Sequence, residues 1–234
     1  MEAIVLAGGM GTRLQSVVSH VPKPMADING KPFLEYLLKY LSDSGITKVV
    51  LSVGYKSDVI FKHFGSRFAN LQIAYAEEHE PLGTGGAVVQ SLNYVNDSDV
   101  FLLNGDTFFA LDLQQLYQVH QTQHNDVTLA LKPMKHFDRY GAVTLIEGKV
   151  WAFEEKRSIE QGLINGGVYV LKTSIMDVKK LPTVFSFESD FLEKELRDLQ
   201  VGAHITDAYF IDIGIPEDYE KAQRDFETIS GVEL

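Results

Sequence analysis

The chain has 234 residues, with 21 basic against 32 acidic side chains and a formal net charge of −11. It contains no cysteine, which excludes disulfides, thiol catalysis and cysteine-held metals. The acidic balance argues against a nucleic-acid backbone or an anionic membrane surface as the main partner, and no apolar run approaches the ~20 residues that a spanning helix needs.

The N-terminus, Met1-Glu2-Ala3-Ile4, lacks the cationic start of a signal peptide, so a cytoplasmic protein is expected. Ala3-Ile4-Val5-Leu6-Ala7 reads as a buried strand that Gly8-Gly9 stops. Pro32 opens a helix with Leu34, Leu37, Leu38 and Leu41 on one stripe, closed by Gly45. Val49 to Val53 is a second strand, backed by a helix from about Asp58 to Phe64. Leu71 to Ala76 is a third, followed by a helix after Gly83-Thr84-Gly85-Gly86. Val100 to Leu103 is a fourth and ends in Asn104-Gly105-Asp106. Alternating helices with nearly all-apolar strands predict a doubly wound, mainly parallel sheet covered on both faces.

The texture then changes. Val127 to Leu131, Gly141 to Leu145, Lys149 to Glu154 and Val168 to Leu171 read as short strands with close turns. No Pro/Gly/Ser linker or charge run divides the chain, so these are expected as antiparallel additions to one α/β sheet within a single domain, residues 1–234, whose halves meet near residue 125. A helix is predicted around Phe191 to Leu199, with Leu192, Leu196 and Leu199 on one stripe. A last strand runs near Tyr209 to Ile213, and Pro216 starts a terminal helix with Tyr219, Ala222 and Phe226 inward. Phe108, Phe109, Phe185 and Phe187 are read as core, and the seven histidines show no metal spacing.

Three stretches carry chemistry. Leu6-Ala7-Gly8-Gly9-Met10-Gly11-Thr12-Arg13-Leu14 directly follows the first strand, where open α/β sheets bind ligands. Its glycines let backbone N–H groups approach an anion, and Arg13 follows them; the alternative is a structural turn. It has neither a Walker ending nor the third glycine of a dinucleotide fingerprint. Pro22-Lys23-Pro24 holds one ammonium on a stiffened backbone, aimed with Arg13 at phosphates. Asp106 ends a strand and Asp212 is embedded in apolar Phe210-Ile211-Asp212-Ile213-Gly214; each could serve structurally, and together they suggest a Mg²⁺ site. Glu155-Lys156 and Asn165 could bind a second phosphate and hydroxyls, or form an ordinary exposed pair and turn.

The ordered set resembles the sugar-1-phosphate nucleotidyltransferases, or sugar-nucleotide pyrophosphorylases. The resemblance rests on residues 6–14 and 22–24, Pro81-Leu82-Gly83-Thr84-Gly85-Gly86-Ala87, Asn104-Gly105-Asp106, Tyr140-Gly141, Glu155-Lys156, Ile164 to Gly167 and Phe210 to Gly214, and it spans residues 2 to about 225. It implies the nucleotide-diphospho-sugar transferase fold without the appended β-helix of some relatives. It also implies attack of a sugar 1-phosphate on the α-phosphorus of a nucleoside triphosphate. Carried over residue by residue, Leu6, Ala7, Gly8, Gly9, Gly11, Thr12, Gly83 and Thr84 would contact the nucleotide. Arg13 and Lys23 would bind its phosphates, and Asp106 and Asp212 would hold Mg²⁺. Lys156 would bind the sugar phosphate, while Gly141, Glu155 and Asn165 would contact the sugar. Arg157 departs from the proline that many relatives have after the lysine.

Uridylyl and thymidylyl members tend to carry glutamine five residues before the glycine of Gly-Thr, where this chain has Glu78. Guanine offers two adjacent donors that a carboxylate can accept, whereas uracil and thymine would face it with lone pairs, so GTP is expected. Lys31 to Tyr36, Gly105 to Phe109, Gly162 to Tyr169 and Asp212 to Tyr219 are similar to bacterial D-glycero-α-D-manno-heptose 1-phosphate guanylyltransferases. The implied partners are GTP and a manno-heptose 1-phosphate, in a monomer or small homo-oligomer; the alternatives are guanylyl transfer to mannose 1-phosphate, or uridylyl or thymidylyl transfer to a hexose 1-phosphate. A non-catalytic sensor is disfavoured because Arg13, Lys23, Asp106, Lys156 and Asp212 are all kept.

Overall fold

A computed structural model describes residues 1–9, 21–176 and 181–229. In chain order the first half comprises β1 (Glu2–Leu6), the short strands β2 (Asp27–Ile28) and β3 (Lys31–Pro32), and α1 (Phe33–Asp43). It continues with β4 (Lys48–Val53), α2 (Ser57–Phe64), β5 (Arg67–Phe68), β6 (Leu71–Glu77), α3 (Gly83–Leu92), β7 (Asp99–Asn104), β8 (Thr107–Phe109) and α4 (Leu113–Thr122). The second half holds β9 (Val127–Phe137), β10 (Val143–Ile146), β11 (Lys149–Phe153) and β12 (Ile159–Lys172). A π-helical turn (Phe187–Leu192), α5 (Glu193–Glu195), β13 (Val201–Ile205), β14 (Phe210–Asp212) and α6 (Pro216–Ile229) complete it.

Among the described residues one ten-stranded sheet runs in the order β10-β11-β13-β9-β12-β7-β1-β4-β6-β5. The run β7-β1-β4-β6 is parallel, with Val5 level with Leu51 and Leu103. β12 joins β7 antiparallel, and β9 joins β12 antiparallel. The all-apolar strands follow from burial on both faces: Ala3 and Val5 of β1 enter one core, and Ile4 enters the other. The first core takes Leu34 of α1, Ile60 of α2, Leu113 of α4 and Ala222 of α6; the second takes Val88 of α3 and Phe187 of the π turn. The α/β sheet with helices on both faces and antiparallel additions is therefore as expected. Phe108, Phe109, Phe185 and Phe187 are core, as read from the sequence. Among the described residues no helix is long and apolar enough to cross a membrane.

Three expectations are corrected. The helix over 191–199 is instead a π turn followed by the three-residue α5, because the wider turn puts Phe187, Phe191 and Leu192 on one buried face. Strand β13 was not foreseen; it inserts between β11 and β9, with Gly202 so close to Asn125 that a Cβ there would lie 2.0 Å from Asn125 Nδ2. β9 and β12 are longer than expected, since they pair with each other out to Phe137 and Ile159, beyond the sheet proper.

Candidate active site

The carboxyl ends of β1, β4, β6 and β7 open onto one cavity of about 760 Å³. This is where a parallel sheet leaves a ligand crevice, and its volume is within the usual range for small-molecule sites. Leu6, Gly8, Gly9, Lys23, Glu78, Gly83, Thr84 and Asp106 all line it. Ala7 is buried beside it, its N–H donating to the Ser52 carbonyl at 2.8 Å. Gly11, Thr12 and Arg13 lie outside the described residues.

Lys23 is presented by a short turn, Lys23–Met25, whose Pro24 and Met25 are buried and whose Met25 N–H bonds the Pro22 carbonyl at 2.8 Å. The two prolines thus fix the lysine backbone. Its Nζ lies 2.5 Å from Asp106 Oδ2 and 3.5 Å from Asp212 Oδ1. Asp106 and Asp212 meet because β8 pairs antiparallel with β14, Thr107 opposite Asp212, and the Ile213 N–H bonds the Asp106 carbonyl at 3.0 Å. Burial, and then the neighbouring Asp106 charge, push the Asp212 carboxyl above the usual aspartate range, against the pull of Lys23. Two carboxylates thus converge on a single charge. Hard oxygen donors in that number, with coordination positions left open for substrate oxygens, fit a divalent cation. Among the described residues no group of three or more His, Cys, Asp or Glu gathers for a metal.

Glu78 follows β6. Its Oε1 accepts from Ser52 Oγ at 3.1 Å and its Oε2 from the Leu82 N–H at 3.0 Å. Each oxygen keeps a further lone pair for a ligand. Gly8 packs so closely that a Cβ there would lie 2.9 Å from Glu78 Oε1. The neighbouring Glu77 instead accepts from Ser57 Oγ at 2.6 Å, and Glu80 lines the cavity mouth with His79 and Tyr55.

The Gly83-Thr84-Gly85-Gly86 run has a packing cause that the sequence hid. A Cβ at Gly85 would sit 2.1 Å from the Phe185 ring, one at Gly83 2.5 Å from the Phe185 carbonyl, and one at Gly86 2.4 Å from that of Thr183. Thr84 Oγ1 accepts from the Phe187 N–H at 2.8 Å.

The remaining residues lie apart from the cavity wall. Gly141 packs against the Glu154 carbonyl, which a Cβ would approach to 2.5 Å. Glu155 and Lys156 are exposed on the loop after β11. That loop is tied by Arg157, whose Nη2 lies 2.7 Å from Glu154 Oε2, while Glu154 Oε1 accepts from Thr144 Oγ1 at 2.8 Å. An ion pair thus spans the turn. Asn165 is half-buried and hydrogen-bonded to the Tyr169 hydroxyl at 2.7 Å. Sequence reasoning missed Ser52, Gly54, Glu188 and Gly214, which also line the cavity. Of these, only Gly214 lay in a motif already singled out.

Known proteins of this architecture are similar along nearly the whole chain. The chain is 50% identical over 227 residues to D-glycero-alpha-D-manno-heptose 1-phosphate guanylyltransferase of Aneurinibacillus thermoaerophilus, covering 97% of this chain and 99% of that protein. It is 49% identical over 220 residues to the enzyme of the same name from Campylobacter jejuni, covering 94% and 97%. The crystal structure of HddC from Yersinia pseudotuberculosis complexed with GMP-PN superposes with a TM-score of 0.87 at 39% identity, over 96% of this chain and 99% of that one. A putative glucose-1-phosphate thymidylyltransferase from Bacillus anthracis, at 17% identity and a TM-score of 0.85, shares the fold, covering 100% of this chain and 97% of that one. Residues 2–229 match the family described as nucleotidyl transferase, and the chain belongs to that family.

Proposed function

We propose that this chain is a guanylyltransferase that condenses GTP with D-glycero-α-D-manno-heptose 1-phosphate, releasing pyrophosphate. The observation that carries the reading is the cavity itself: Lys23, Asp106 and Glu78 all line it, in a chain about half identical, over nearly its whole length, to enzymes of that name.

The nucleophile, a sugar phosphate oxygen, is already an anion, so the protein needs no general base. Its work is to position two polyanions and neutralise their charge. Lys23, and Arg13 with it, contact the triphosphate and stabilise the leaving pyrophosphate. Asp106 and Asp212 would hold a Mg²⁺ ion, which would supply positive charge to neutralise the reacting phosphates. Lys156 engages the sugar phosphate, and Gly141, Glu155 and Asn165 the sugar. The nucleotide is held by residues of the first ~125 positions and the sugar phosphate by the rest of one domain. Glu78, braced by Ser52 and Leu82, accepts guanine N1–H and the N2 amino group. Uracil would turn a carbonyl toward it, and an unmatched buried polar edge costs ~1–3 kcal/mol.

The test is metal-dependent pyrophosphate release across the four ribonucleoside triphosphates and dTTP, crossed with heptose, mannose and glucose 1-phosphates. Turnover confined to GTP with the manno-heptose supports the reading. Turnover with mannose 1-phosphate instead moves the sugar assignment, a preference for UTP or dTTP overturns the role of Glu78, and no turnover overturns the reading.

A further inference from the structure

Glu188 lines the cavity, yet no motif announced it and the mechanism above does not use it. With Gly214 it is one of two lining residues drawn from the second half of the chain. It sits in the π-helical turn Phe187–Leu192, a geometry that occurs often at functional sites.

Its carboxylate is built in from two directions. Oε1 accepts from the Tyr169 hydroxyl at 2.8 Å, and Oε2 faces Thr84 Oγ1 at 3.4 Å. Tyr169 is fully buried in β12, its ring edge-on to Phe187 at 5.4 Å. Burial, and then the Glu188 charge, push its phenol well above the usual range, so it stays a donor. The same hydroxyl accepts from Asn165 Nδ2 at 2.7 Å, and Asn165 Oδ1 accepts from the Gly167 N–H at 3.1 Å. In a straight strand, residues four apart are separated by ~13 Å. The contact between Asn165 and Tyr169 is made possible by the irregularity in β12 between them, where Gly167 adopts a φ of +67°. One buried phenol thus fixes both an amide and a carboxylate.

A carboxylate with spare lone pairs repels phosphate and accepts from hydroxyls. In the function proposed above Lys23 and Lys156 meet the phosphates of the two substrates, whereas the Glu188 oxygens face Tyr169 and Thr84. We propose that Glu188 binds a hydroxyl of the acceptor sugar, with Tyr169 as the positioning residue that couples it to Asn165. The link to Asn165 is what favours the acceptor sugar over the ribose of GTP. This rests on the function proposed above.

The test uses the full chain with GTP and the manno-heptose 1-phosphate. The isosteric Glu188→Gln keeps an acceptor for Tyr169 but loses the charge. It is expected to raise KM for the sugar phosphate about 10- to 100-fold, as loss of a charged hydrogen bond does, leaving KM for GTP within about twofold. Tyr169→Phe keeps the ring against Phe187 and should shift the same KM in the same direction by a smaller factor. The preference for GTP over dGTP should be unchanged in both. A raised KM for GTP, with that preference levelled, would place the ribose on Glu188 and overturn the proposal. Unchanged KM values with lowered melting temperature would make Glu188 structural and overturn it too. A wild-type chain that turns over GTP while Glu188→Gln behaves identically sinks this inference alone; a wild-type chain inert with every sugar phosphate sinks the proposed function as well.

Discussion

Gly85→Ala separates two reasons for the glycine run at the start of α3. If the glycines serve packing, the added methyl meets the Phe185 ring at 2.1, 2.3 and 2.7 Å from three of its carbons. The ring cannot swing away cheaply, because Phe185 is buried and its backbone is pinned at both ends. Its carbonyl accepts from the Gly85 N–H at 2.9 Å, and its N–H donates to the Leu82 carbonyl at 3.1 Å. Overpacking of this severity costs up to about 3 kcal/mol, and the helix preference of Ala over Gly returns about 1 kcal/mol. The net loss is about 2 kcal/mol, or a fall in Tm of roughly 4–8 °C for a domain of this size. Gly9→Ala is the control, since nothing lies within 4 Å of its added Cβ. It should leave Tm unchanged or slightly raised, by less than about 1 kcal/mol, while raising KM for GTP about tenfold, a loss of ~1.4 kcal/mol of binding. Calorimetry with initial-rate kinetics on both variants decides. Gly85→Ala with an unaltered Tm and a raised KM for GTP would refute the packing account.

Lys23→Met should lower kcat/KM by about 10²-fold or more. In EDTA it should also lower Tm by leaving Asp106 and Asp212 facing each other, and Mg²⁺ should recover Tm in the variant more than in the wild type; equal responses would count against a shared cation site. Arg157→Ala should raise KM for the sugar phosphate by about two- to threefold through a looser Lys156 loop, as an exposed ion pair allows, and the difference should fade in high salt; persistence at high salt would mean that Arg157 touches the substrate itself. Burial holds His120 below the usual histidine range despite Asp99 beside it, and His204 is held low in the same way. The unfolded chain therefore takes these protons first, and the stability they contribute is present above pH ~6.5 and lost as pH falls. The urea midpoint should drop between pH 7.5 and 5.5, less in His120→Gln, and an equal drop in that variant would acquit the residue.

The parallel half of the sheet was legible because its strands are buried on both faces, which makes the centres of β1, β4 and β7 nearly all apolar, with Ser52 the polar exception. Asp106 was legible for the opposite reason, a lone charge closing such a run. β13 was not, since Val201–Ile205 contains Gly202 and His204, and its place depends on Asn125 filling the space above the glycine. The stripe of Leu192, Leu196 and Leu199 spoke for a helix, yet Phe187 and Phe191 stack at 5.9 Å and both need burial, which the π turn supplies. Of the 83–86 run, Gly83 and Thr84 were read through the family motif as nucleotide contacts and both line the cavity, but nothing in the spacing showed that the three glycines pack against Phe185 and Thr183. Spacing along the chain cannot reveal an aromatic ring arriving from a hundred residues away, and for the same reason nothing local distinguished Glu188.

A chain with 32 acidic against 21 basic residues must still attract two polyanionic substrates. The cavity resolves this by sorting its charges rather than by being basic. Carboxylates on its walls, Glu78 and Glu188, each have one or both oxygens occupied by protein donors, so they are fixed acceptors placed for the N–H groups of a base and the hydroxyls of a sugar. The ammonium of Lys23, which lines the cavity, is already shared between Asp106 and Asp212, two carboxyl groups to one cation. A triphosphate entering alone would therefore be repelled from the very place where the proposed reaction needs it. On that reading Asp106 and Asp212 would hold a divalent cation, whose charge would offset that of the triphosphate and leave Lys23 to meet the phosphates.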